Sequence, residues 1–131
     1  MAKILIVEDE KSYCDHLKQI LEFEGFEVAA ECTSLEGIVT AMNFTPDVLI
    51  VDWLLKHYYD GLDLTKMLQQ LNPDLKVIVM TGDPGPILDI KKTLVDVECV
   101  MTKPLIIEDL IRVLHDVIGA LPSAHTSPSE G

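Results

Sequence analysis

Apolar residues in this chain fall into short unbroken runs, and each run stops at a reactive polar residue. Ile4-Leu5-Ile6-Val7 leads into Glu8-Asp9, Val48-Leu49-Ile50-Val51 into Asp52, and Val77-Ile78-Val79-Met80 into Thr81. A fourth segment, Cys99-Val100-Met101-Thr102, leads into Lys103-Pro104. Aliphatic runs of this length between turn signals suit strands buried on both faces.

The intervening segments carry helical periodicity. Strands are expected at 3–7, 27–31, 47–52, 75–81 and 98–102. Helices are expected at 10–24, with Tyr13, Cys14, Leu17, Ile20 and Leu21 on one face, and from Thr33, which has capping-box spacing to Glu36, to about Phe44. Further helices are expected at 62–71, with Leu64, Met67, Leu68 and Leu71 on one side, at 87–97 after the stiff Pro84-Gly85-Pro86 link, and at 106–120. The last is apolar almost all round. A core stripe of Ile107, Leu110, Ile111, Leu114, Val117 and Ile118 leaves Ile106 and Val113 toward solvent or a partner. Residues 122–131 show no pattern and are expected to be a disordered tail, leaving 1–121 as one domain with no output domain.

Strict strand–helix alternation implies one α/β domain, a doubly wound parallel sheet covered on both faces, with ligands at the carboxyl ends of the strands. The second strand is the most polar and suits an edge. The chain has 131 residues and a formal charge of −12, which argues against direct nucleic-acid binding and favours a cation site and basic protein partners. No apolar run is long enough for membrane insertion. The cysteines Cys14, Cys32 and Cys99 are odd in number and widely separated, which suits reduced thiols and a cytoplasmic location.

If the runs are neighbouring parallel strands, Glu8, Asp9, Asp52, Thr81 and Lys103 emerge at one sheet edge. Three carboxylates so close repel unless a cation lies between them. Such an oxygen-rich set suits Mg²⁺ or Mn²⁺, and a lysine beside it suits a phosphoryl group. Each residue also has a plainer reading. Glu8 and Asp9 could answer the dipole of the first helix, Asp52 could form a turn, Lys103 could pair structurally with an acid, and Thr81 could be an ordinary strand residue. Pro104 fixes the turn after Lys103 and makes a cis bond there plausible.

Residues 4–10 (ILIVEDE), 46–53 (PDVLIVDW), Thr81-Gly82 and Lys103-Pro104 together resemble the receiver domain of bacterial two-component response regulators, over residues 1 to about 120. The resemblance implies a flavodoxin-like fold with a five-stranded sheet in the order 2-1-3-4-5. It implies Asp52 as phosphoacceptor, with Glu8, Asp9, Asp52 and the backbone carbonyl of Leu54 around Mg²⁺. Thr81 would be the switch hydroxyl and Lys103 the phosphate-contacting lysine. The phosphoryl donor would be a phosphohistidine of a histidine kinase or phosphotransfer protein. A downstream protein target, or a second copy, would dock on the surface of the fourth helix, fifth strand and fifth helix. Such a protein is a stoichiometric phosphoacceptor that assists its own phosphorylation and dephosphorylation, not an enzyme.

Two features depart from the family pattern. Val100 occupies the usual aromatic-switch position, and the loop after Asp52, with Lys56, His57, Tyr58 and Tyr59, is about one residue longer and lacks a proline. Two other classes stay open: an Asp-dependent phosphohydrolase, for which Leu54 stands where a second acid is wanted, and a non-phosphorylated interaction module.

Overall fold

The computed structural model describes residues 2–83 and 95–119. The strands are β1 (Lys3–Val7), β2 (Glu27–Glu31), β3 (Val48–Asp52), β4 (Lys76–Thr81) and β5 (Cys99–Thr102). The helices are α1 (Lys11–Phe23), α2 (Ser34–Phe44), α3 (Gly61–Leu71) and a C-terminal helix (Ile107–Gly119). All strand pairings are parallel, in the order β2-β1-β3-β4-β5. The expected link at 84–86, most of the helix expected at 87–97, and the tail lie outside the described residues.

Alternation along the strands splits the core into two layers. Ile4, Ile6, Val48, Ile50, Ile78 and Met80 face α1 and the C-terminal helix, packing with Leu17, Leu21, Leu110 and Leu114. Leu5, Val7, Leu49, Val51, Val77 and Val79 face the other way, onto Leu64 and Leu68 of α3, with Ile38 and Ala41 of α2 partly buried there. Every residue of β3 is buried, as a central strand requires.

The N-cap half of the capping box forms: the Thr33 side chain accepts from the Glu36 N–H, and its hydroxyl donates to the Glu36 carboxylate. Two helices approach the sheet through glycines. A Cβ on Gly37 would lie 2.8 Å from Val7, and one on Gly61 would lie 2.7 Å from both the Asp52 carbonyl oxygen and the Trp53 Cα.

Three expectations about the helices are corrected. Val113 packs on the core while Ile111 lies at the flank, so the C-terminal helix is rotated from the expected stripe; Ile106 is exposed as expected. A helix apolar on most sides does not fix its own orientation, and docking against α1 and the sheet chooses it. Leu71 is 63% exposed, because α3 turns Gly61, Leu64, Thr65 and Leu68 inward. Val95–97 are not helical: Gln69 donates to the Asp96 carbonyl at 2.7 Å and accepts from its N–H at 3.2 Å, tying this segment to α3.

Candidate functional site

The carboxyl ends of β1, β3 and β5 open onto a cleft of about 690 Å³, lined by Glu8, Asp9, Glu10, Cys32, Thr33, Asp52, Leu54, Lys56, His57, Gly82 and Lys103. One carboxylate oxygen each from Glu8, Asp9 and Asp52 lies within 4.8 Å of the others. Glu8 and Asp52 are buried and Asp9 is half-buried.

Lys103 bridges two of the acids. Its Nζ lies 2.6 Å from Glu8 Oε1 and 3.3 Å from Asp52 Oδ2. Backbone donors hold the remaining oxygens: the Glu10 N–H bonds Glu8 Oε2 at 2.9 Å, and the Leu54 N–H bonds Asp52 Oδ1 at 3.0 Å. The ammonium also lies 5.1 Å from the centre of the Tyr13 ring, whose hydroxyl accepts from the Leu105 N–H. The Lys103–Pro104 peptide between these contacts is cis.

Burial and charge oppose each other here. Burial pushes the Glu8 carboxyl above its usual value, against the hydrogen bonds from Lys103 and the Glu10 backbone; the nearby Asp52 charge also raises it. Burial works against the Lys103 ammonium, but the hydrogen bond with Glu8 and the Asp52 charge outweigh it and hold that pKa above the ordinary lysine range.

Residues 4–115 match the family model described as "Response regulator receiver domain". The chain belongs to this family. It is 24% identical over 129 residues to "Response regulator MprA" of Mycobacterium sp. (strain KMS), covering 98% of this chain and 54% of that protein. It is 25% identical over 131 residues to "Response regulator ArlR" of Staphylococcus saprophyticus, covering 100% of this chain and 59% of that protein. The chain thus spans little more than half the length of these curated relatives. Among solved structures, a response regulator receiver domain protein from Clostridium thermocellum superposes with a TM-score of 0.80 at 28% identity, covering 91% of this chain and 95% of that one. A CheY-like receiver domain protein from Methanospirillum hungatei gives 0.81 at 29% identity, covering 88% and 92%.

In this receiver domain the residues singled out from sequence do not all meet. Glu8, Asp9, Asp52, Leu54 and Lys103 share the cleft. Thr81 is buried at the end of β4, and its hydroxyl is occupied locally: it donates to the Asp83 carbonyl at 2.9 Å and accepts from the Asp83 N–H at 3.1 Å. Val100 is half-buried against the α3 layer. Lys56 and His57 join the cleft wall, while Tyr58 and Tyr59 are exposed. Sequence reading missed Ser34, whose hydroxyl holds the β3–α3 loop, and Gly61, whose lack of a side chain lets α3 start against the backbone of Asp52 and Trp53. The Asp60-Gly61 pair before an apolar helix was the available signal for the second. No helix among the described residues is long and apolar enough to cross a membrane.

Proposed function

We propose that this receiver domain is a phosphoacceptor in which Asp52 takes a phosphoryl group from a phosphohistidine of a histidine kinase or phosphotransfer protein. The observation that carries this reading is the Lys103 ammonium shared between Glu8 and Asp52 in an open, three-carboxylate cleft. The donor set is all carboxylate oxygen, which fits Mg²⁺ or Mn²⁺ and not a thiolate-seeking metal. Glu8, Asp9 and Asp52, with the Leu54 carbonyl, would hold the ion, which would neutralise acid and phosphoryl charge when bound.

The chain's own groups do the rest. The Leu54 N–H holds Asp52 Oδ1 and Lys103 holds Oδ2, so the carboxylate is oriented before the donor arrives. A carboxylate oxygen forms the new O–P bond while the donor's N–P bond breaks in line. The imidazole leaves with the electron pair and takes up a proton. Lys103 balances charge on the transferring oxygens.

Thr81 must give up its bonds with Asp83 to reach a phosphoryl oxygen, and that exchange would report phosphorylation to the segment following β4. With Val100 at the aromatic-switch position, the report reaches the surface of β5 and the C-terminal helix without an aromatic rotamer. A protein target or a second copy would dock there. Water later cleaves the acyl phosphate, so the domain acts as a stoichiometric acceptor in a cytoplasmic signalling pathway, with no direct contact to nucleic acid. Leu54 offers no carboxyl for hydrolytic turnover, which weighs against a phosphohydrolase, and the Lys103 bridge weighs against a silent interaction module.

Incubation with Mg²⁺ and acetyl phosphate or a phosphorylated kinase, followed by intact mass, tests the reading. One added phosphoryl group, absent from Asp52→Ala, is expected. Multiple-turnover phosphate release would point to a hydrolase, and no modification by any donor would overturn the proposal.

A further inference from the structure

The loop after β3 is closed by a residue from another element. Ser34, the first residue of α2, is 1% exposed. Its hydroxyl donates to the His57 carbonyl at 3.1 Å and accepts from the Tyr59 N–H at 3.1 Å. One side chain therefore spans the turn centred on Tyr58, and Tyr58 holds φ at 63°. That left-handed conformation is unfavourable for a bulky side chain and persists only when its surroundings impose it. Tyr58 is 72% exposed, so packing of the ring does not impose it. The two bonds to Ser34 flank it on both sides.

The clamp sits beside the cleft. On one side of the turn, Leu54, Lys56 and His57 line the wall next to Asp52. Thr33, directly before Ser34, also lines the cleft, together with Glu8 and Asp9. A single buried hydroxyl thus ties the loop that carries Leu54, Lys56 and His57 to the start of α2, beside Thr33.

We propose that Ser34 is a positioning residue for the acceptor cleft: its hydroxyl locks the turn at Tyr58 and so sets how tightly the cleft takes a divalent cation, without altering the reactivity of Asp52. This rests on the phosphoacceptor reading above. A loop freed from the clamp spends part of its time with the Leu54–His57 wall displaced, and apparent affinity falls by the fraction still competent. The expected loss is roughly three- to tenfold, an amount that either of the two lost hydrogen bonds covers alone.

The test uses Ser34→Ala in the whole chain. In metal-free protein, amide exchange at Tyr59 is expected to accelerate while exchange in β1 and β3 stays at the parental rate. Titration with Mg²⁺, followed by fluorescence of Trp53 beside Asp52, is expected to show a midpoint raised three- to tenfold. Phosphorylation by acetyl phosphate is expected to slow at low Mg²⁺ and to match the parent at saturating Mg²⁺. Adding Tyr58→Gly to Ser34→Ala is expected to restore part of the affinity, because glycine adopts positive φ without strain.

Tyr58→Val provides a second route that leaves the buried start of α2 untouched, and it is expected to weaken Mg²⁺ binding in the same way. Parental Tyr59 exchange and Mg²⁺ midpoints in both Ser34→Ala and Tyr58→Val would overturn the proposal. So would a lower saturating rate with an unchanged midpoint. If the parent itself takes no phosphoryl group, the phosphoacceptor reading fails, while the exchange and Mg²⁺ titrations still judge Ser34.

Discussion

Replacing Lys103 by methionine keeps most of the side-chain volume and removes the charge between Glu8 and Asp52. The parent ammonium lies 2.6 Å from one carboxylate and 3.3 Å from the other, and Glu8 has no solvent exposure to fall back on. Stranding a buried charge in this way costs about 3–5 kcal/mol in general, and the cleft's access to water and the partial exposure of Lys103 reduce that to about 2–3 kcal/mol here. With a urea m-value of roughly 1–3 kcal/mol/M for a domain of this size, the unfolding midpoint falls by roughly 0.7–3 M near pH 7. The loss depends on pH in a defined direction. Glu8 has a folded pKa already raised above 4.5, and without Lys103 it rises further. Its contribution to stability is therefore fully present below the unfolded value and is lost as pH rises through the folded one, and Lys103→Met extends that loss. Urea curves for parent and variant are thus expected to converge toward pH 4 and to separate toward neutrality. Millimolar Mg²⁺ should recover more stability in the variant than in the parent, since the cation replaces the missing charge. A penalty of equal size at all pH values would refute the electrostatic account and assign the loss to packing against the Tyr13 ring.

In Glu8→Gln, the fall in stability as pH rises through the raised Glu8 pKa should disappear, as read by thermal melts from pH 4 to 8, and Mg²⁺ binding should weaken. Gly61→Ala forces a Cβ within 2.7 Å of the Asp52 carbonyl and the Trp53 Cα, both backbone; a loss of about 1–3 kcal/mol is expected by chemical denaturation, with slower phosphorylation at Asp52. Burial pushes the Cys14 thiol up to about 12, so iodoacetamide at pH 8 should leave it unmodified in the folded chain and alkylate it only in urea, as mapped by peptide mass.

The strands, their parallel direction and the residues at their carboxyl ends were legible from local pattern, while the strand order came from the family resemblance. An unbroken aliphatic run such as Val48–Val51 specifies a strand buried on both faces wherever it sits, and a doubly wound parallel sheet then carries Glu8, Asp9, Asp52 and Lys103 to one edge. The N-cap at Thr33 was legible for the same reason, since it depends on neighbours in the chain; Pro104 made a cis bond available, and the fold selected it.

Tertiary structure decided the rest. Several sides of the C-terminal helix could have met the sheet, and only docking turned Val113 inward and left Ile111 at the flank. Gln69 holds the non-helical segment at Asp96, 27 residues away, and Ser34 fixes a loop 23 to 25 residues downstream; no local periodicity reports such partners. Thr81 arrives at the expected strand end, yet its hydroxyl turns to Asp83. Backbone pattern carries a residue to an edge, but the groups within hydrogen-bond reach decide where its side chain points.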